Sequence, residues 1–281
     1  MAAEFEIVTD AASFPRIAAA MWRRPSDPSI YGSMDIDVTG ALRFIERHRA
    51  ATGRKLTITH VVARAVAQAF VLYPRLNAKV RFWGRIERRR SVDLFVSVAA
   101  EGGKDLSGVL VEGAEEKSLD ELIDAIERGA RSVRSGADEK YEKSRDMLQR
   151  LPWWLVRPLL WGIDLLTNEL HLDIPSQGMP RDPFGTAIIT NVGTFGIDTA
   201  FGPFLPLGRC AMLLLLSEIR ERPWAENGRV EARPVLRLCG TFDHRVIDGF
   251  AAGKLAKAIR EGIEHPEKEV AAPAVSAKEA G

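Results

Sequence analysis

Helical segments in this chain are separated by groups of strands rather than by single strands, and this order constrains the fold more than any other feature. It favours an α/β domain with a mixed sheet flanked by helices over a purely parallel sheet. Ser29–Val38 alternates in part and predicts a strand, followed by a helix from about Gly40 to Ala51. A second helix begins near Thr57, with Ile58, Val61, Val62, Ala65, Val66, Ala69 and Phe70 at helical spacing and Pro74 just past its end. Lys79–Ala100 carries Val80, Phe82 and Trp83, a turn at Gly84, Ile86 and then Leu94–Val98, a meander of two or three strands. Ser118-Leu119-Asp120-Glu121 has the capping-box spacing and opens a helix reaching about Val133. The charged stretch Ala137–Arg150 is expected as another helix. Three strands are expected at Thr186–Thr190, Met212–Ser217 and Val235–Phe242. The closing helix, Asp248 to Ile263, places Ala251, Leu255, Ile259 and Ile263 four apart on one face.

The bulk numbers remove several function classes. In 281 residues, 46% hydrophobic and 27% charged residues are ordinary values for a globular chain with a sizeable core. Thirty-nine basic residues against 38 acidic ones leave a net charge of +1, so no overall field points to nucleic acid, a membrane surface or a polyanion. The two cysteines, Cys210 and Cys239, lie in apolar stretches and read as small core residues in a reducing compartment. The N-terminus lacks a basic segment followed by an apolar run. The longest apolar stretch, Leu151–Leu166, is interrupted by Arg157, Pro158 and Asp164 and is shorter than the roughly 20 residues that span a bilayer. A cytoplasmic protein is expected, with one domain over residues 1–266 and a disordered tail over 267–281. Scattered histidines and cysteines lack metal-ligand spacing, and no Gly-x-Ser-x-Gly elbow is present.

Of five histidines, His244 has the distinctive context. It leaves an apolar strand, sits between Asp243 and Asp248, and precedes Gly249 at a helix entrance. A strand-to-helix turn exposes side chains at a sheet edge, and Gly249 allows a ligand a tight approach to the backbone. Imidazole, with an ordinary pKa near 6.5, can take the proton of a thiol, with its ordinary pKa near 8.5, as that thiol attacks. Asp248 could pair with an arginine or cap the closing helix. The same spacing also fits a capped helix with an incidental histidine. In a second segment, Thr190-Asn191-Val192-Gly193, a hydroxyl and a side-chain amide stand where the chain turns after Ala187–Ile189, and such donors can stabilise an oxyanion. Taken alone, an ordinary polar turn with two glycines is the better account of that segment.

Together the two segments resemble the catalytic domain of the dihydrolipoamide acyltransferases of 2-oxoacid dehydrogenase complexes, a family sharing its fold and a His-x-x-x-Asp-Gly motif with chloramphenicol acetyltransferase. Here the motif is His244-Arg245-Val246-Ile247-Asp248-Gly249, preceded by Asp243. Ile189-Thr190-Asn191 followed by Gly193 is similar to the hydroxyl-bearing strand end of the succinyl-transferring members. Arg222–Val230 is similar to the hairpin before the motif. Asp35–Thr39, Lys55-Leu56-Thr57 and Pro74-x-x-Asn77-Ala78 match upstream elements. The resemblance implies direct transfer between coenzyme A and a lipoyl-like thiol, without an acyl-enzyme. His244 would be the base and Thr190 the oxyanion donor. Asn191 and Gly249 would support the turns, and Asp248 would hold the active-site turn through a salt bridge for which Arg16 is a candidate partner. It also implies a homotrimer with His244 facing Thr190 of a neighbour.

Three departures accompany the likeness. No lipoyl domain, subunit-binding domain or flexible linker is visible, so a lipoyl group is expected in trans on another protein. The family's apolar stretch is replaced around Lys104–Val111. An insert over about 137–183 carries Trp153, Trp154 and Trp161. It reads as packed helices, with a lid over a bulky acyl chain or an interfacial membrane helix as alternatives, the last disfavoured by Pro158. A hydroxyl or amine acceptor and a non-catalytic trimeric scaffold are the competing functions.

Overall fold

The computed structural model describes residues 27–99, 106–135, 152–173, 182–204 and 208–271. In chain order, β1 is Ser29–Asp37, α1 Thr39–Thr52, α2 Ile58–Leu72, β2 Ala78–Val80, β3 Ile86–Arg88, β4 Leu94–Ala99 and β5 Leu106–Val111. They are followed by α3 (Leu119–Arg134), α4 (Trp153–Asp164), β6 (Ala187–Asn191), β7 (Met212–Leu216), β8 (Arg220–Glu226), β9 (Arg229–Asp243), α5 (Gly249–Glu264) and α6 (Pro266–Ala271). The main sheet has the order β1-β9-β7-β6-β4-β5, with β8 also paired to β9. β4, β6 and β7 run parallel to one another, and the remaining pairs are antiparallel. It is the mixed sheet that the grouping of strands predicts.

One face carries the main core. Ile189, Met212, Leu214, Leu216, Leu236 and Leu238 point into it, met by Ala41 and Ile45 of α1, Val62, Val66 and Phe70 of α2, Leu122 and Ile123 of α3, and Leu255 and Ile259 of α5. Ile188, Leu213, Leu215 and Cys239 point the other way into a smaller cluster with Cys210, packed by Phe95, Phe184 and Phe204. All five residues of β7 are therefore buried, the near-continuous apolar pattern of a strand covered on both faces. Each such leucine stabilises the fold by roughly 1.5–3 kcal/mol. Helix α2 is buried without a break from His60 to Phe70, which holds it fast against the sheet.

β9 is long enough to pair with two strands in succession along one edge. Its first half forms a hairpin with β8 through Asn227 and Gly228, whose φ angles of 51° and 76° suit the twist-matching two-residue turn. Its second half pairs with β7. Between them the register slips by one residue, from Leu216 opposite Leu238 to Arg220 opposite Val235. This is a bulge at Ser217–Ile219, where the Ser217 hydroxyl accepts from the Arg237 N–H at 2.9 Å.

The sequence reading differs from the structure in a few elements. The expected meander divides: β2 and β3 form their own two-stranded sheet, while β4 joins the main one. β5 was not predicted, and β8 was legible only through the family likeness. Both strands lie at edges and lack a full apolar run. Ala137–Arg150 lies outside the described residues, and the tail expected to be disordered over 267–281 instead begins as helix α6, Pro266–Ala271, with only its part beyond Ala271 outside them. Helix α4 continues through Pro158 and ends in a π-helical turn, Leu165–Glu169. Glu169 ties this segment down by accepting from the Phe82 N–H at 2.8 Å and from Arg81 Nε at 3.0 Å, and it also pairs with Arg209. Burial opposes the charge, but these donors outweigh it and hold the Glu169 carboxyl down at about 2. Among the described residues no helix is long and apolar enough to cross a membrane, and no cluster of His, Cys, Asp or Glu could hold a metal.

Candidate active site

His244 stands where β9 ends, in a turn secured on every side. The Asp243 N–H donates to the Ala211 carbonyl at 3.1 Å, and the His244 N–H donates to Pro28 at 2.9 Å. The Asp243 carbonyl accepts from Val246 and Ile247, and its buried carboxylate takes three N–H groups of Arg245 at 2.7–3.0 Å. Ile247 is fully buried and anchors the far side of the turn. The His244 side chain is left exposed, with Nδ1 3.2 Å from the Ile247 carbonyl oxygen. A carbonyl can only accept, so this contact places the proton on Nδ1 and leaves the Nε2 lone pair free to act as a base.

Asp248 is the N-cap of α5, its Oδ1 accepting from the Ala251 N–H at 2.8 Å. Among the described residues it forms no ion pair, and Arg16 lies outside them. The Asp248 seen here caps a helix, the second of the two roles its position allows. Gly249 opens α5 with nothing within 4 Å of an added Cβ, so no backbone of the same chain demands a glycine there.

Thr190 lies at the other end of the sheet, next to last in β6. The Asn191 amide is engaged at both ends: Nδ2 donates to Thr59 Oγ1 at 3.1 Å, and Oδ1 accepts from the Gly193 N–H at 3.1 Å. It thus braces the turn against α2. Gly193 sits against the β7–β8 bulge, where a Cβ would come within 2.3 Å of the Ser217 carbonyl oxygen. Thr190 and Asn191 help line a cavity of about 920 Å³ bounded by the start of α2, the end of β4 and the last turns of α3.

His60 is a wall residue of this cavity that the sequence reading passed over as one more helical histidine. Its residue is 4% exposed, and Nδ1 accepts from the Thr57 N–H at 3.1 Å, closing a capping box at the α2 N-terminus. Nδ1 being an acceptor, the proton resides on Nε2, which has no partner among the described residues. Burial pushes the imidazole pKa down to about 4, with the nearby Arg49 charge adding to the effect, so the ring is neutral. The Thr57-x-x-His60 spacing was the available signal.

One chain does not bring Thr190 and His244 together. Thr190 pairs with Leu215 on β7, whereas Phe242, two residues before His244, pairs with Met212 on the far side of the same strand. Strand rise and spacing put the two residues roughly 15–20 Å apart.

Residues 15–144 and 183–271 match the family model for the 2-oxoacid dehydrogenases acyltransferase (catalytic domain), leaving out much of the tryptophan-bearing insert. Over 255 residues the chain is 23% identical to the lipoamide acyltransferase component of the branched-chain alpha-keto acid dehydrogenase complex of Bacillus subtilis, covering 88% of this chain and 50% of that one. It is 28% identical over 251 residues to a probable dihydrolipoyllysine-residue succinyltransferase component of the 2-oxoglutarate dehydrogenase complex of Schizosaccharomyces pombe, covering 87% and 46%. The chain thus spans about half the length of the curated relatives it matches. Among solved structures, a probable dihydrolipoamide acetyltransferase from Listeria monocytogenes has the same fold, with a TM-score of 0.65 at 22% identity, covering 97% of this chain and all of that one. The cubic core of a pyruvate dehydrogenase multienzyme complex gives a TM-score of 0.66 at 20% identity, covering 95% and 94%. With the match covering most of its length, the chain belongs to the 2-oxoacid dehydrogenase acyltransferase catalytic-domain family.

Proposed function

We propose that this protein moves an acyl group between coenzyme A and a lipoyl-like thiol, carried by another protein, in a single direct transfer. The observation that carries this reading is the Nδ1 contact of His244 with the Ile247 carbonyl, which leaves Nε2 as an exposed base. Nε2 takes the proton of the acceptor thiol as its sulfur attacks the thioester carbonyl carbon. The oxyanion so formed accepts from the Thr190 hydroxyl. Collapse expels the coenzyme A thiolate, which recovers the proton from His244.

The Thr190 in this scheme belongs to a neighbouring copy, because the two residues of one chain are too far apart to touch one reacting atom. A homotrimer is the arrangement we favour, since a fold relative builds a cubic core, and a cube has threefold axes at its corners. A dihydrolipoamide acetyltransferase from Azotobacter vinelandii adds support. Its catalytic study concerns a histidine, an asparagine four residues later and a serine 52 residues earlier. Here Asp248 follows His244 by four residues and Thr190 precedes it by 54.

Incubation with acyl-coenzyme A and dihydrolipoamide, followed by chromatography of both thioesters, tests the proposal. Acyl-lipoamide and free coenzyme A should form together, with no acylated protein. Product only from hydroxyl or amine acceptors would shift the acceptor class. An equal rate from the His244→Ala variant would end the mechanism.

A further inference from the structure

The cavity beside Thr190 carries more positive charge than its place at a strand end requires. Lys55, Arg131 and Arg134 line it against a single acid, Glu127. None of the three cations has a hydrogen-bond or ion-pair partner among the described residues. Unpaired cations cost little in open solvent, but three converging on one cavity of about 920 Å³ raise the local concentration of anions. The remaining wall adds uncharged donors. Thr57, Thr59 and His60 come from the first turn of the 15-residue helix α2, whose N-terminal amides favour negative charge, and that turn holds no acidic residue. His60 belongs to this wall, is almost wholly buried, and has an Nε2–H without an acceptor among the described residues. Apolar Val96, Val98 and Ile126 complete the lining and suit a short carbon chain.

We infer that this cavity is an anion subsite for the thioester substrate, in which Arg131, Arg134 and Lys55 hold a charged oxygen group while the attached chain lies toward Thr190. The inference rests on the acyl-transfer reading for its substrate but not for its geometry. The anion has two chemical sources: a carboxylate at the far end of a dicarboxylic acyl group, or a phosphate of coenzyme A.

The test uses the full chain and three probes: succinyl-coenzyme A, butyryl-coenzyme A and butyryl-pantetheine. The first two have four-carbon acyl groups and differ in a terminal carboxylate; the third lacks phosphates. Binding by titration calorimetry and kcat/KM are both measured for wild type and the double variant Arg131→Gln/Arg134→Gln. Both arginines are exposed in the last turn of α3, so a thermal melt should confirm an intact fold. Loss of a charge-assisted hydrogen bond corresponds to about a tenfold change in affinity. A fall of that size in the succinyl-to-butyryl ratio assigns the site to the acyl carboxylate. An equal fall for both coenzyme A esters, without one for butyryl-pantetheine, assigns it to the phosphate. Unchanged affinity for all three probes overturns the subsite. His60→Leu provides a second reading, with affinity expected to fall for the same probes that the arginine variant weakens and the thermal melt reporting any damage to the core. If wild type binds these esters through the arginines but transfers nothing, the subsite stands and the transfer reading fails.

Discussion

The His244 turn and the Thr190 turn each end a strand of the same sheet, yet they are held by different kinds of contact. The first is local. Backbone and side-chain bonds among Asp243, Arg245, Val246 and Ile247 shape it, and two backbone bonds, to Pro28 and Ala211, tie it to distant parts of the chain. The second is assembled from distant parts of the chain: Asn191 reaches Thr59 on α2, and Gly193 rests on the bulge at Ser217. A local turn can be carried by a short motif. A turn assembled at long range depends on the whole domain being in place, and it brings a cavity with it. The two lie at opposite ends of the sheet, so under the proposed mechanism each supplies half of a site, and the halves would meet between copies.

This contrast can be broken by substitution. His244→Ala should have the largest effect, lowering kcat by about 10²–10⁴, the usual worth of a positioned general base, while leaving the denaturation midpoint nearly unchanged because the ring is exposed. Steady-state rates beside a urea titration check both halves of the statement. Thr190→Ala should cost about 10²–10³ in kcat, as expected of one oxyanion donor, with Thr190→Ser keeping most of the rate. Mixed trimers of His244→Ala and Thr190→Ala chains should recover activity. If they stay inactive, the two halves do not meet across an interface.

Stability changes should fall on the long-range side. The His60 pKa is depressed to about 4 from an ordinary 6.5, so the ring contributes stability that is present above 6.5 and lost as pH falls toward 4. Protonation of the unfolded chain makes that loss on the order of 3 kcal/mol. Urea midpoints at pH 7.5 and 4.5 should therefore drop less in His60→Leu than in wild type, and equal drops would contradict the buried neutral ring. Gly193→Ala should destabilise by about 2 kcal/mol, since the new methyl meets backbone atoms that cannot swing aside. Asp248→Ala should cost only about 1 kcal/mol, the value of a lost cap, and Asp248→Asn should restore most of it. If Asn proves as damaging as Ala, an ion pair and not the cap is what Asp248 supplies.

Legibility in the sequence followed the same division. β1, α1, α2, α3, β6, β7 and α5 were readable within a residue or two, because each has its own periodicity, cap or apolar run. The Ser118 capping box and the Asn227-Gly228 turn carry their signal in the residues that form them. β5 and β8 were harder. They lie at the sheet edges, and β8 has largely exposed residues, so neither shows the pattern of a buried strand. His60 was missed for a related reason: a histidine at the third position of a helix is unremarkable until the fold buries it beside a cavity.

By itself, then, the amino-acid order determined the elements with local causes, the mixed character of the sheet and the His244 motif with its family likeness. Only the tertiary structure decided that Asn191 is tied to Thr59 of α2, that Gly193 rests on the bulge at Ser217, and that Thr190 opens on a cavity edged by Lys55, Arg131 and Arg134. The reason is range. Periodicity and capping act over a few residues and leave their mark in the order of the chain, whereas a cavity is bounded by residues that strand pairing brings together from more than a hundred positions apart.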